Sequence, residues 1–176
     1  MSDETTSPPV APATAPPGSG GDRHVMSVRL ALPGFVDSWS HCGGLADFVA
    51  RFAASDRYDP EGLTTRISSH LDEILEVLFG VVAGGHADVD VHRRDDAVEV
   101  ACEVPVDDAQ SAELARIFRG LEGRDLRAEY RELLPHLLVA MRPEAAILEM
   151  AGLHGVVPVL EVAPGRARIT LTIAAE

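Results

Sequence analysis

Residues 59–85 read DPEGLTTRISSHLDEILEVLFGVVAGG. Asp59-Pro60 is a helix start, because a carboxylate can cap free amide N–H groups and proline in the first turn has no N–H to leave unpaired. Leu63, Ile67, Leu71, Ile74, Leu75 and Leu78 then recur at helical spacing as one apolar stripe. Arg66, Ser69, Asp72, Glu73 and Glu76 lie largely away from that stripe. Gly84-Gly85 ends the run. The stretch predicts one long helix over about 60–82, which must lay its stripe against other elements to be stable.

The pattern changes period on both sides. Upstream, Met26, Val28, Leu30 and Leu32 alternate with Ser27 and Arg29, a half-buried strand that Pro33-Gly34 stops. Leu45, Phe48, Val49 and Phe52 follow at helical spacing and predict a short helix over about 44–55. Downstream, Ala87, Val89 and Val91 alternate with Asp88, Asp90 and His92, and Val98, Val100, Cys102 and Val104 alternate with Glu99 and Glu103. These two runs predict a hairpin with one wet face. Its turn, Arg93 to Asp96, places two arginines beside two aspartates, so the charge is expected to be neutralised locally.

Three shorter helical stretches come next. One is capped by Asp107 or Asp108 and carries Leu114, Ile117, Phe118 and Leu121. Another carries Leu126, Tyr130, Leu133 and Leu134, with Pro135 expected to kink or split it. The third follows Pro143 and carries Ala146, Ile147, Met150 and Leu153. Val157–Val162 and Ala167–Ile173, separated by Ala163-Pro164-Gly165, predict a closing hairpin. Hairpins plus helices give an α+β two-layer sandwich, a mostly antiparallel mixed sheet with helices on one face. The expected organisation is a disordered Pro/Ala/Ser/Gly-rich tail over 1–23, too poor in apolar residues to offset the entropy of ordering, and one domain over 24–176.

Composition narrows the chemistry. All 15 basic residues are arginine, so there is no lysine for a Schiff base or a Walker phosphate loop, and there is no asparagine. The net charge of −13 argues against nucleic acid and anionic membrane surfaces as partners, and favours specific protein partners. Cys42 and Cys102 form no CxxC pair, and no run is apolar enough to span a membrane. The N-terminus does not read as a signal peptide, so a cytoplasmic location is expected. The seven histidines, at 24, 41, 70, 86, 92, 136 and 154, show no metal-binding spacing.

Candidate chemistry concentrates on His70-Leu-Asp-Glu-Ile-Leu-Glu-Val77, where carboxylates could hold Mg²⁺ or act as a base, although an exposed acidic helix face explains them more simply. Cys42, near Asp37, Trp39 and Ser40, could serve a small-molecule enzyme as a thiol nucleophile, although a buried cysteine is the commoner case.

The stretches 67–77, 84–91 and 151–156 ahead of Leu160-Glu-Val, with the order of elements, resemble the GHKL (Bergerat) ATPase fold. The likeness is to the SiaB-like branch of bacterial regulators and to anti-sigma-factor serine kinases, and it covers roughly residues 25–173. In that fold the long helix carries Glu-x-x-x-Asn, the Asn holding Mg²⁺ and the Glu orienting the attacking group. Glu73 matches the Glu, but Val77 stands at the Asn position and has no oxygen to offer. Where Asp-x-Gly-x-Gly is expected, residues 105–111 read PVDDAQS, and where the Gly-x-Gly-Leu step is expected, residues 143–148 read PEAAIL.

The resemblance therefore implies a degenerate nucleotide site and a non-catalytic regulatory or interaction domain. Its partner would be a protein, plausibly a STAS-type antagonist, and no cofactor is expected. The alternative is an active serine kinase that uses Glu73 with ATP and Mg²⁺, compensated by arginines such as Arg124 or Arg127.

Overall fold

The computed structural model describes residues 21–34, 40–82, 84–119, 125–133 and 143–175. The tail expected over 1–23 lies, for residues 1–20, outside the described residues, as do Asp37, Trp39, Leu121, Arg124, Leu134, Pro135 and His136.

Helix α2 (Pro60–Val81) is the organising element, preceded by strand β1 (Arg23–Ala31), a single 3-10 turn at Leu32–Gly34 and helix α1 (Ser40–Ala54). The Asp59 carboxylate accepts the Gly62 N–H at 3.0 Å, with Pro60 in the first turn. At the other end the Val82 N–H returns to the Leu78 carbonyl. The six stripe residues are completely buried. Burial extends beyond them to His70, Val77 and Phe79, so α2 is enclosed on a wider arc than its stripe predicts. Asp72, Glu73 and Glu76, expected on an exposed face, are half-buried.

The chain continues through β2 (His86–Arg93), β3 (Ala97–Pro105), α3 (Asp108–Phe118), α4 (Leu126–Leu133), α5 (Pro143–His154), β4 (Val159–Ala163) and β5 (Arg166–Ala174). The strands form one sheet in the order β1-β2-β3-β5-β4. Every neighbouring pair is antiparallel, so the mixed pairing expected from the sequence is not seen among the described strands.

Alternation sorts the two faces. Ala87, Val89, Val91, Val98, Val100, Cys102, Val104, Ile169, Leu171 and Ile173 join the core with α1 and α2. The opposite face carries cross-strand rows of polar groups, such as Arg29, Asp88, Glu103 and Arg168 in register. The protein is an α+β two-layer sandwich, with one face of a five-stranded antiparallel sheet packed under helices.

Two local features differ from expectation. Helix α1 starts at Ser40, ahead of the predicted position 44. In the β2–β3 turn, Arg93 and Arg94 do not neutralise Asp95 and Asp96. Arg93 reaches α1 instead, and Arg94 pairs with Glu99 at 2.8 Å. Arg93 is thereby enclosed, 11% exposed, against the carbonyls at the end of α1, and Arg94 meets a Glu99 that is 19% exposed.

Candidate functional site

Two of the segments where the resemblance expects glycines, 105–111 and 143–148, meet the last turn of α2 at one depression, which neither Glu73 nor Val77 lines. It has a volume of about 340 Å³ and is lined by Gly80 and Val81 from α2, Ala109, Gln110 and Glu113 from α3, and Pro143 at the start of α5. The polar groups around it are occupied within the fold. Asp107 and Gln110 form a capping box: the Asp107 carboxylate accepts the Gln110 N–H at 2.8 Å, and the Gln110 side-chain oxygen accepts the Asp107 N–H at 2.9 Å. The Gln110 amide also donates to the Val81 carbonyl at 3.3 Å. Glu113 is held by Arg116 at 2.7 and 2.8 Å, and Arg116 bridges onward to Glu144 of α5. That pairing keeps the Glu113 carboxyl below its ordinary range. The residues standing where glycines are expected therefore cap and tie helices.

Val77 is 3% exposed and belongs to the hydrophobic core. Its side chain packs inside the protein and offers nothing to a cation. Glu73 lies on the flank of α2 that α5 covers. Burial is the main reason its carboxyl is raised above its ordinary range, and Glu76, Glu149 of α5 and Asp72 add repulsion. The buried Tyr130 of α4 hydrogen-bonds Glu149, and burial with that bond raises its phenol.

One turn earlier on α2, the buried His70 ring lies against His154 of α5, with centroids 5.0 Å apart. Burial, His154 and Arg66 depress His70 to about 4. A polar seam thus runs between α2 and α5, with two histidines at one end and Glu73, Glu149 and Tyr130 at the other. The sequence assigned Glu73 to this region and placed His70 on the same polar stretch of α2, but it did not assign His154, Glu149 or Tyr130.

A second acidic group lies between α1 and α2. Ser68 donates to Asp47 at 2.6 Å. Burial first and Asp47 second raise Asp72, while burial and then Asp72 raise Glu76. Cys42 sits inside this group, fully buried, and burial with the Asp72 and Glu76 charges pushes its thiol up to about 11. A nucleophilic cysteine needs the reverse, an electropositive and accessible setting that favours thiolate. Cys102 is likewise buried and pushed up to about 12. Among the described residues no three histidine, cysteine, aspartate or glutamate groups converge as metal ligands. No described helix is long and apolar enough to cross a membrane.

No known protein family matches this chain, and no curated protein sequence does. Its fold does match a solved structure: a chain of the SiaB–SiaC complex from Pseudomonas aeruginosa superposes with a TM-score of 0.59 at 16% identity, over 86% of this chain and 91% of that one. At that identity the likeness establishes a shared fold.

Proposed function

We propose that this chain is a non-catalytic regulatory domain of GHKL ancestry that acts in bacterial signalling by binding a protein partner, as in partner-switching systems. The observation that carries the reading is the fate of the nucleotide elements. Val77, at the cation-binding position, is enclosed in the core. The segments expected to cradle adenine and phosphate have become a capping box and the start of α5. What remains, among the described residues, is a scaffold whose depression is lined by no basic side chain. That the similar fold was crystallised in a two-protein complex supports a partner-binding role. A STAS-type antagonist is the partner class that the resemblance implies, and a cytoplasmic setting fits it.

The second reading, an ATP-dependent serine kinase using Glu73, is favoured by one observation: α2, α3 and α5 meet around a depression beside the last turn of the long helix. Calorimetric titration with Mg-ATP separates the two. The regulatory reading expects no saturable binding at micromolar ATP. Saturable one-to-one binding that Glu73→Ala weakens would overturn it in favour of the kinase.

A further inference from the structure

We propose that the proline-rich segment Pro8–Pro17 of this same chain docks on the outer face of helix α1, laying a polyproline II strand over Phe48 and Phe52. This goes beyond the regulatory reading and does not depend on it.

Helix α1 is built with its large side chains outward. The side turned to the core carries Cys42, Ala46, Val49, Ala50, Ala53 and Ala54, all completely buried and none larger than valine. On the other side Phe48 is 48% exposed and Phe52 is 53% exposed, with Leu45 half-buried beside them. Of the stripe that the sequence grouped as Leu45, Phe48, Val49 and Phe52, only Val49 is completely buried. Spacings of three and four residues put Leu45, Phe48 and Phe52 on one continuous face. The two phenyl rings lie against each other, with centroids 5.0 Å apart and planes inclined at 54°.

Aromatic exposure is concentrated at this place. Among the described phenylalanines and tyrosines, Phe79, Phe118 and Tyr130 are buried, whereas Phe48, Phe52 and Tyr58 are exposed and all fall within residues 48–58. Single exposed apolar side chains are ordinary, but a contiguous set marks a surface that something covers.

Position, reach and chemistry select the occupant. The chain enters the fold beside the end of α1. Arg23, the first residue of β1, stands in register with Arg93, whose guanidinium donates to the Phe52 carbonyl at 2.7 Å. Arg23 also acts on the Asp56 carboxylate just past α1. Between Pro17 and Asp22 the sequence is Gly-Ser-Gly-Gly, and four such residues turn in any direction and span on the order of 11 Å. That returns the chain from Arg23 to the Phe52 turn. A polyproline strand advances about 3.1 Å per residue and a helix about 1.5 Å, so about four residues of the segment reach from Phe52 to Leu45.

The chemistry fits the surface. Pro8, Pro9, Pro12, Pro16 and Pro17 are five of the chain's 12 prolines. Proline-rich segments dock on aromatic side chains because their backbone is already extended and loses little freedom on binding. Such docking needs no core of its own, which the composition of the segment denies it. The tether holds the segment at an effective concentration in the millimolar range, so a contact too weak to join separate molecules is sufficient within one chain.

The test is paramagnetic broadening of amide resonances in the full chain. Val10→Cys supplies one accessible thiol for a nitroxide, since Cys42 and Cys102 are buried. The expected result is selective broadening of the Leu45, Phe48 and Phe52 amides, with Val159 and Thr170 at the far edge of the sheet unaffected. Replacing Phe48 and Phe52 together by serine alters exposed side chains and should abolish the broadening. Replacing Pro12, Pro16 and Pro17 by glycine leaves the folded residues untouched and should abolish it as well. A mixture of nitroxide-bearing chain with isotope-labelled chain lacking the nitroxide reports a second copy as the occupant, and no broadening is expected there. Absence of broadening at α1, broadening that survives either set of substitutions, or broadening transferred between chains in the mixture overturns the proposal.

Discussion

Arg57 and Arg93 fasten each other's elements. Arg93, near the end of β2, donates to the Ala53 and Phe52 carbonyls at the end of α1, at 2.8 and 2.7 Å. Arg57, just beyond α1, donates to the Asp95 and Arg94 carbonyls in the β2–β3 turn and to the carbonyl of Ala97, the first residue of β3. Helix carbonyls without intrahelical partners and open turn carbonyls are thus satisfied by a planar group with several donors. Arg93→Ala should lower stability by about 2–3 kcal/mol, because the Arg93 side chain is only 11% exposed and charged hydrogen bonds of this kind are lost together. Arg93→Lys should restore little, since an ammonium cannot span the same carbonyls. Urea unfolding measures both, and an unchanged midpoint for Arg93→Ala would remove the clamp from the account.

Leu71→Ala and Ile74→Ala should each cost about 2–5 kcal/mol, the range for truncating a fully enclosed aliphatic side chain. Both residues are completely buried under the sheet. A neutral result for either in chemical denaturation would mean that α2 is rotated from the register described, and that Glu73 is not where α5 covers it.

Much of the fold was legible because its signals are local. Asp59-Pro60 marks one end of α2, and Gly84-Gly85 the turn that follows it. Alternation in β2, β3 and β5 places each valine and isoleucine on its face without knowledge of the rest. The candidate site was only half legible, because it depends on what covers α2. The stripe at 63, 67, 71, 74, 75 and 78 explains packing on one side. His70 and Val77 fall on its flanks, and His70 is enclosed by α5, which brings His154 against it and in turn carries α4. The available signal was α5 itself. Its apolar residues do not fall on one face, which in a short helix means contact on more than one side. The Arg93 bridge was missed for the same reason: sequence neighbours suggested a local partner, and the real partner is about forty residues away.

Helices α4 and α5 pack closely at a glycine. A Cβ on Gly152 would lie 2.7 Å from the Leu126 carbonyl oxygen and 3.2 Å from the Arg127 Cα, both backbone atoms that cannot swing aside. Gly152→Ala should therefore destabilise by about 1–3 kcal/mol, as overpacking does, despite alanine's better helix propensity. Gly44 in α1 has open space at its Cβ position, so Gly44→Ala should be neutral or stabilising by up to about 1 kcal/mol. Thermal unfolding of the two variants compares a packed helical glycine with a free one. Equal shifts would show that the α4–α5 contact is not as tight as described.

The polar seam and its neighbours make stability depend on pH in two opposite ways. Burial, and then repulsion from neighbouring carboxylates (Asp47 on Asp72; Glu76, Glu149 and Asp72 on Glu73; Asp72 on Glu76), raise Asp72, Glu73 and Glu76 above their ordinary values. A carboxyl whose folded pKa is raised holds its proton more tightly when folded. Its stabilising contribution is complete below the unfolded value and is lost as pH rises through the folded value. At neutral pH these ionised groups therefore oppose folding. His70 runs the other way. Its folded value is depressed from 6.5 to about 4, so its contribution is complete above 6.5 and is lost as pH falls toward 4. Replacing Glu73 by glutamine keeps the shape and removes the charge. Glu73→Gln should raise Tm at pH 8, and the gain should shrink steadily as pH falls toward 4.5, where the native carboxyl also becomes neutral. His70→Gln should flatten the acid limb of the parent's stability profile between pH 6.5 and 4. Tm measured across this range for the parent and both variants tests the seam directly. A Glu73→Gln gain that is constant with pH, or a loss at pH 8, would mean that Glu73 is solvated and that α5 does not cover it.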